Sequence, residues 1–137
     1  MDKAECKYCR KVVDVAEKVA DLTASTLYLT KDQSYKGRCI LAFSDHKSEP
    51  FQLTESEWQS FTADMRHAAK ALSEAFHPAK INYGAVGDTY PHLHFHLVPK
   101  YENGKSWNTL FDMQFSPERT VPDAEFERTI EEIRKHL

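Results

Sequence analysis

Apolar residues recur at steps of three and four from Trp58 through Phe61, Met65, Ala68, Ala69 and Leu72 to Phe76, the period of one helical face, and the run stops at Pro78. Thr54 and Glu57 stand ahead of it at capping-box spacing, where hydroxyl and carboxylate can each satisfy an orphan backbone N–H. The pattern predicts a helix over Thr54 to Phe76 whose apolar stripe packs on a sheet. A second stripe, Phe126, Ile130, Ile133 and Leu137, predicts a C-terminal helix after Pro122. Between Lys11 and Leu22, the apolar residues Val12, Val13, Val15, Ala16, Val19 and Ala20 have spacings compatible with a short N-terminal helix.

Other stretches follow the strand period. Thr26 to Thr30 alternates apolar and hydroxyl-bearing side chains, and Cys39 to Phe43 is a short apolar run; the polar Lys31 to Gly37 joins them most simply as a hairpin. Lys80 to Ala85 and His92 to Val98 read as two more strands, separated by a turn containing Gly84, Gly87 and Asp88. From Tyr101 to Thr120 the pattern is irregular, and whether Trp107, Phe111 and Phe115 close over this chain's own site or a partner's is left open. The expected architecture is α+β: an antiparallel sheet packed against one long helix, with a short N-terminal and a C-terminal helix.

Length and composition narrow this further. At 137 residues and 41% hydrophobic, the chain supplies one compact core but is short for two ordinary domains, so a single domain over 1–137 is expected, its core about 6–100 and its tail and helix 101–137. A net charge of -3 with scattered Lys and Arg leaves no footprint for a nucleic-acid backbone, so any phosphate handled is small and locally bound. The charged start Met1 to Cys6 lacks the apolar core of a signal peptide and no run approaches a membrane span, which makes a cytoplasmic location the expectation. Three cysteines, two of them three positions apart, fit reduced thiols or metal ligands better than a disulfide framework.

The candidate chemistry lies in His92-Leu93-His94-Phe95-His96-Leu97-Val98. On an extended strand the three histidines project to one face and Leu93, Phe95 and Leu97 to the other. A lone histidine on such a face reads as solvated polar surface, but three in one alternating run opposite an apolar set point to chemistry. A neutral imidazole with one nitrogen fixed by a hydrogen bond can attack phosphorus or bind a metal with the other.

These residues resemble the histidine triad (HIT) superfamily, whose signature is His-x-His-x-His followed by two apolar residues; Thr89 to Lys100 looks like that motif with its flanks. Cys6-Lys7-Tyr8-Cys9 resembles the CxxC that opens many bacterial members, Asp32 lies where members place a ribose-binding acid or amide, and Asn82 precedes the triad at about the family spacing. The resemblance covers most of residues 6–100. It implies a nucleotide hydrolase or nucleotidyl transferase in which His94 attacks the α-phosphorus of a nucleoside 5′-phosphoryl compound, a phosphoramidate or dinucleoside polyphosphate, to form a covalent nucleotidyl-histidine. His96 would contact the phosphate or help protonate the leaving group, Asn82 and Thr89 would donate to phosphate oxygens, and Asp32 would bind the ribose. Relatives commonly pair, so a homodimer is implied as well.

For Cys6 and Cys9 the resemblance supplies His46 and His92 as further ligands, giving a closed Cys2His2 structural zinc site that ties the N-terminus to the catalytic strand. Cys39, in an apolar strand, is expected in the core. At Asp88 better-known branches carry a phosphate-donating glutamine; a carboxylate only accepts, so Asp88 is expected to point away and hold the turn or a histidine. Two other readings stay open: a metal-dependent hydrolase whose three histidines share an open metal position, and a nucleotide-binding adaptor without turnover.

Overall fold

A computed structural model describes all of residues 1–137. Its strands are β1 (Ala16–Asp21), β2 (Ser25–Thr30), β3 (Cys39–Phe43), β4 (Lys80–Gly84) and β5 (His94–Lys100); its helices are α1 (Glu55–Phe76) and α2 (Asp123–His136). The strands form one five-stranded antiparallel sheet in the order β1-β2-β3-β5-β4. The fold is α+β, as the hydrophobic pattern predicts.

α1 begins as its sequence dictates: Thr54 accepts from the Glu57 N–H at 3.1 Å, and the Glu57 carboxylate accepts from the Thr54 N–H at 2.8 Å. It ends where His77 turns left-handed at φ 49° ahead of Pro78. Phe61 and Leu72 of α1 and Ile130 and Ile133 of α2 cover one sheet face, packing on Leu27, Leu29, Cys39, Leu41 and Leu97. Cys39 is therefore core, as expected. The opposite face, with Tyr28, Ile40 and Ala42, is covered by Cys6, Tyr8 and Val13 of the N-terminal segment, and further along by Phe111 of the tail. That second face carries the chemistry.

Two elements differ from expectation. The segment read as a short N-terminal helix instead contains β1, paired with β2 and irregular in register between Lys18 and Ala20. A bulge inserts a residue into the period-2 alternation, so apolar positions fall three and four apart and imitate a helix; the β-branched valines favour the extended chain. β5 starts at His94, two residues later than predicted, so His92 precedes the strand and its ring is free to turn elsewhere.

Asp64 of α1, 5% exposed, fastens the β1–β2 turn to the helix. It accepts from the N–H groups of Thr23 (3.3 Å) and Ala24 (2.7 Å) and from the Ser25 hydroxyl (2.6 Å). Asp64→Ala strands three donors, and a loss of about 3 kcal/mol is expected in urea unfolding; a change within 0.5 kcal/mol, on the order of an ordinary surface substitution, would show the turn to be held by other contacts.

Candidate active site and metal centre

β5 pairs with β3 so that His94 lies opposite Ala42 and His96 opposite Ile40, which places both rings on the face away from the helices. The three histidines find different partners. His92 Nε2 donates to the Phe43 carbonyl at 2.6 Å, which leaves Nδ1 as the free nitrogen. His94 Nδ1 donates to the carbonyl of His92 at 2.6 Å, so its free nitrogen is Nε2. Tyr8 lies against the His94 ring, centroids 4.7 Å apart and planes tilted 31°. Burial, the largest influence on each, holds both imidazoles below the usual histidine range and hence neutral at pH 7.

His96 sits with its ring centroid 5.5 Å from that of His94. Its Nδ1 is 3.2 Å from Nη2 of Arg38. Phe111 and Phe115 flank the ring at 6.1 and 6.3 Å. Gly84 pairs with His96 across the sheet, and a Cβ there would stand 2.9 Å from Phe111 Cζ; glycine admits the phenyl ring. Burial, then the charge of Arg38, push the His96 imidazole down to about 3, with smaller effects from His94 and Lys7.

A cavity of about 670 Å³ opens over these rings, lined by His94, His96, Thr89, Asp88, Lys7 and Phe115 among others. The Lys7 ammonium lies 3.8 Å from the Tyr90 ring centroid and 3.6 Å from the Asp14 carboxylate. A larger groove of about 740 Å³ between α1 and β4 contains none of the motif residues.

Of the expected nucleotide contacts, the structure brings Thr89 to the cavity beside His94 and His96 but not Asp32 or Asn82. Asp32 is buried, accepting from the backbone and hydroxyl of Ser34 (2.9 and 2.7 Å) and the Ser116 N–H (2.9 Å), and ion-paired with Arg119 at 3.0 Å. One of its oxygens is committed to the Ser34 turn and the other to holding the tail. Asn82 accepts from Lys100 at 3.3 Å and lines a separate recess with Trp107. Asp88 is among the residues around the cavity, and the histidines take their partners from carbonyls and Arg38 rather than from its carboxylate.

The tail closes over its own chain's site. Besides Asp32, Lys100 donates to the Thr109 carbonyl at 2.7 Å, Tyr35 accepts from the Asp112 N–H at 2.8 Å, and Arg38 donates to the Asp112 carbonyl at 2.8 Å. Phe111 and Phe115 thereby reach His96, while Trp107 does not line the cavity.

Cys6, Cys9, His46 and His92 converge, their ligand atoms all within 4.8 Å of one another. His92 Nδ1 is 3.4 Å from Cys6 Sγ and 3.5 Å from Cys9 Sγ, and His46 Nδ1 is 3.2 Å from Cys9 Sγ. Ordinary zinc bond lengths at tetrahedral angles give a sulfur–nitrogen edge of about 3.6 Å, so the donor set fits that metal. His46 Nε2 donates to the Met1 carbonyl at 3.0 Å, so both histidines offer Nδ1 to the centre. The separate partners of His92 and His94 disfavour three histidines sharing one ion.

Three residues at the site went unread in the sequence. Lys7 and Tyr8 lie between the two cysteines; once Cys6 and Cys9 converge on His92, the residues between them must flank β5. Arg38 heads an apolar strand, but no sequence signal points to its partner.

Residues 11–103 match the family model described as HIT domain. The structure is similar to a histidine triad protein from Sinorhizobium meliloti, with TM-score 0.86 and 21% identity over 99% of this chain and 100% of that one. It is also similar to one from Marinobacter aquaeolei, with TM-score 0.84 and 17% identity over 93% of each chain. A Zn-bound histidine triad family protein from Mycobacterium smegmatis aligns with TM-score 0.70 and 16% identity over 98% of this chain and 94% of that one. No protein of curated function matches the sequence.

Proposed function

This chain belongs to the HIT domain family, whose fold supports nucleotide hydrolase and transferase chemistry, and from that premise we propose that it cleaves nucleoside 5′-phosphoryl compounds through a nucleotidyl-histidine on His94. The observation that carries the reading is the 2.6 Å bond from His94 Nδ1 to the His92 carbonyl. It commits the ring's proton to Nδ1 and leaves the Nε2 lone pair free on a residue that lines the cavity.

In the first step Nε2 forms a bond to the α-phosphorus as the bond to the leaving group breaks; the electron pair departs with that group, and a departing amine takes its proton from solvent. The ring gains positive charge, and the His92 carbonyl stabilises it through Nδ1–H. In the second step water, or another acceptor, attacks phosphorus, loses a proton and returns the electron pair to Nε2. His96 and the Thr89 hydroxyl hold the phosphoryl oxygens, and the Lys7 ammonium adds positive charge at the cavity. Asp32 acts one step removed, by anchoring the tail that carries Phe115 through the Ser116 N–H.

Cys6, Cys9, His46 and His92 would hold zinc in a structural role in this reading: the ion would cross-link the N-terminal segment to the residues flanking β5, with no part in the displacement. The Zn-bound relative supports the assignment. The cysteines must stay reduced to bind metal, which suits a cytoplasmic setting; no helix is long and apolar enough to cross a membrane. Pairing into a homodimer is part of the same reading and rests on the family alone.

The test is to mix the protein with an adenosine phosphoramidate or a diadenosine polyphosphate and quench within one turnover. Release of nucleoside monophosphate, with a mass adduct of one nucleotidyl group on the peptide containing His94, is the expected result. Turnover without an adduct would favour direct attack by water, and neither product nor adduct would leave a binding adaptor.

A further inference from the structure

Arg38 is the largest fully buried side chain of the molecule, 1% exposed, and it has no carboxylate partner. The two nearby acids are engaged elsewhere: Asp112 with Lys105 (3.0 Å) and Arg119 (3.4 Å), and Asp32 with Arg119 (3.0 Å). The guanidinium instead donates from Nη1 to the Asp112 carbonyl at 2.8 Å and approaches His96 Nδ1 with Nη2 at 3.2 Å. Its Nε has no partner. The rings of Phe115, Phe111 and Tyr35 surround its Cζ at 4.6, 5.3 and 5.8 Å.

A buried cation without a counter-charge costs stability that an apolar side chain of the same volume would not. Its direction toward one triad nitrogen supplies a reason for keeping it. A guanidinium carries N–H donors and no acceptor, so the contact is a hydrogen bond only if His96 Nδ1 is unprotonated. A neutral imidazole then carries its hydrogen on Nε2.

We infer that Arg38 is a positioning residue, which holds His96 in the Nε2–H tautomer so that the ring meets the substrate phosphate as a neutral hydrogen-bond donor. The bond to Asp112 makes Arg38 a clasp between the tail and the triad. The inference rests on the proposed phosphoryl chemistry for its purpose, though not for its geometry. It changes the role read from the sequence: His96 contributes a hydrogen bond to phosphate and does not protonate the leaving group. The charged or titratable groups facing His96 are Arg38 ahead of β3, His94 on β5 and Lys7 from the N-terminal segment, with Asp14 and Asp88 on the cavity wall. β4 presents Gly84 and the tail presents Phe111 and Phe115. Burial and three cationic or titratable neighbours thus oppose a second proton on this ring.

The experiment is long-range ¹⁵N–¹H NMR of the imidazoles in the purified protein, with His96 assigned by its loss in His96→Asn. In the unaltered protein His96 should appear as a single neutral Nε2–H tautomer that persists to about pH 5, well below the ordinary histidine value of about 6.5. Arg38→Met keeps the packed stem and removes the donors. An Nδ1–H species should then appear, the ring should titrate closer to the ordinary value, and kcat should fall about 10²-fold with a much smaller change in KM. Arg38→Lys keeps a donor and the charge; it should restore the Nε2–H tautomer and bring kcat to within about tenfold of the unaltered protein. A wild-type His96 protonated on Nδ1, or an Arg38→Met protein with its tautomer unchanged, overturns the inference. The wild-type spectrum decides even if Arg38→Met fails to fold. It also needs no turnover, so failure of the proposed nucleotide chemistry would be seen separately.

Discussion

Replacing His94 with alanine is expected to lower single-turnover cleavage at least about 10⁴-fold, the scale on which removing a covalent nucleophile acts. That factor corresponds to about 5 kcal/mol of lost transition-state stabilisation. Phosphate binding should survive, because Thr89, Lys7 and His96 line the cavity independently of the His94 ring. KM should therefore change far less than kcat. The substitution vacates a ring-sized space against Tyr8, whose centroid lies 4.7 Å from that of His94, so added imidazole should restore part of the activity. Activity within tenfold of the unaltered protein, on the order of what a lost peripheral contact costs, would sink the His94 mechanism.

The second large effect is on stability. Stripping the metal, or disabling its site with Cys9→Ser, should lower Tm substantially and remove about one equivalent of zinc measured by elemental analysis. Burial and the Cys6 thiol beside it push the Cys9 thiol up to about 11, so taking up a cation must release protons, and affinity should fall as pH falls. A metal held at a thousandfold over its dissociation constant contributes about 4 kcal/mol to the folded state. For a chain of this size that is on the order of 10 °C in Tm. Activity should decline together with Tm, because a metal on Cys6, Cys9 and His92 would anchor the segment that carries Tyr8 against His94 and the His92 carbonyl that orients it. Immediate loss of activity on chelation with Tm unchanged would instead assign the metal to the chemistry.

Local patterns carried much of this protein into the sequence. The capping box at Thr54 and Glu57, the three-and-four stripe of α1 and the alternation of β5 are properties of neighbouring residues, legible wherever backbone geometry repeats. The β1 segment shows the limit: a bulge turns strand spacing into an apparent helix, and only pairing with β2 resolves it. The same division runs through the site. That His94 and His96 share a face follows from strand geometry alone, and the motif adds candidate ligands and a nucleophile. Which nitrogen His92 and His96 present was decided by partners far along the chain, Phe43 and Arg38, whereas His94 takes its partner from the carbonyl two residues before it. So was the commitment of Asp32 to the tail through Ser116 and Arg119. The sequence by itself determined the α+β class and the elements other than β1, the face that carries chemistry and the kinds of groups on it. Tertiary structure decided the protonation pattern, the closure of the tail over its own site and the presence of Lys7 and Tyr8 there, because hydrogen bonds and burial across long separations have no period to read.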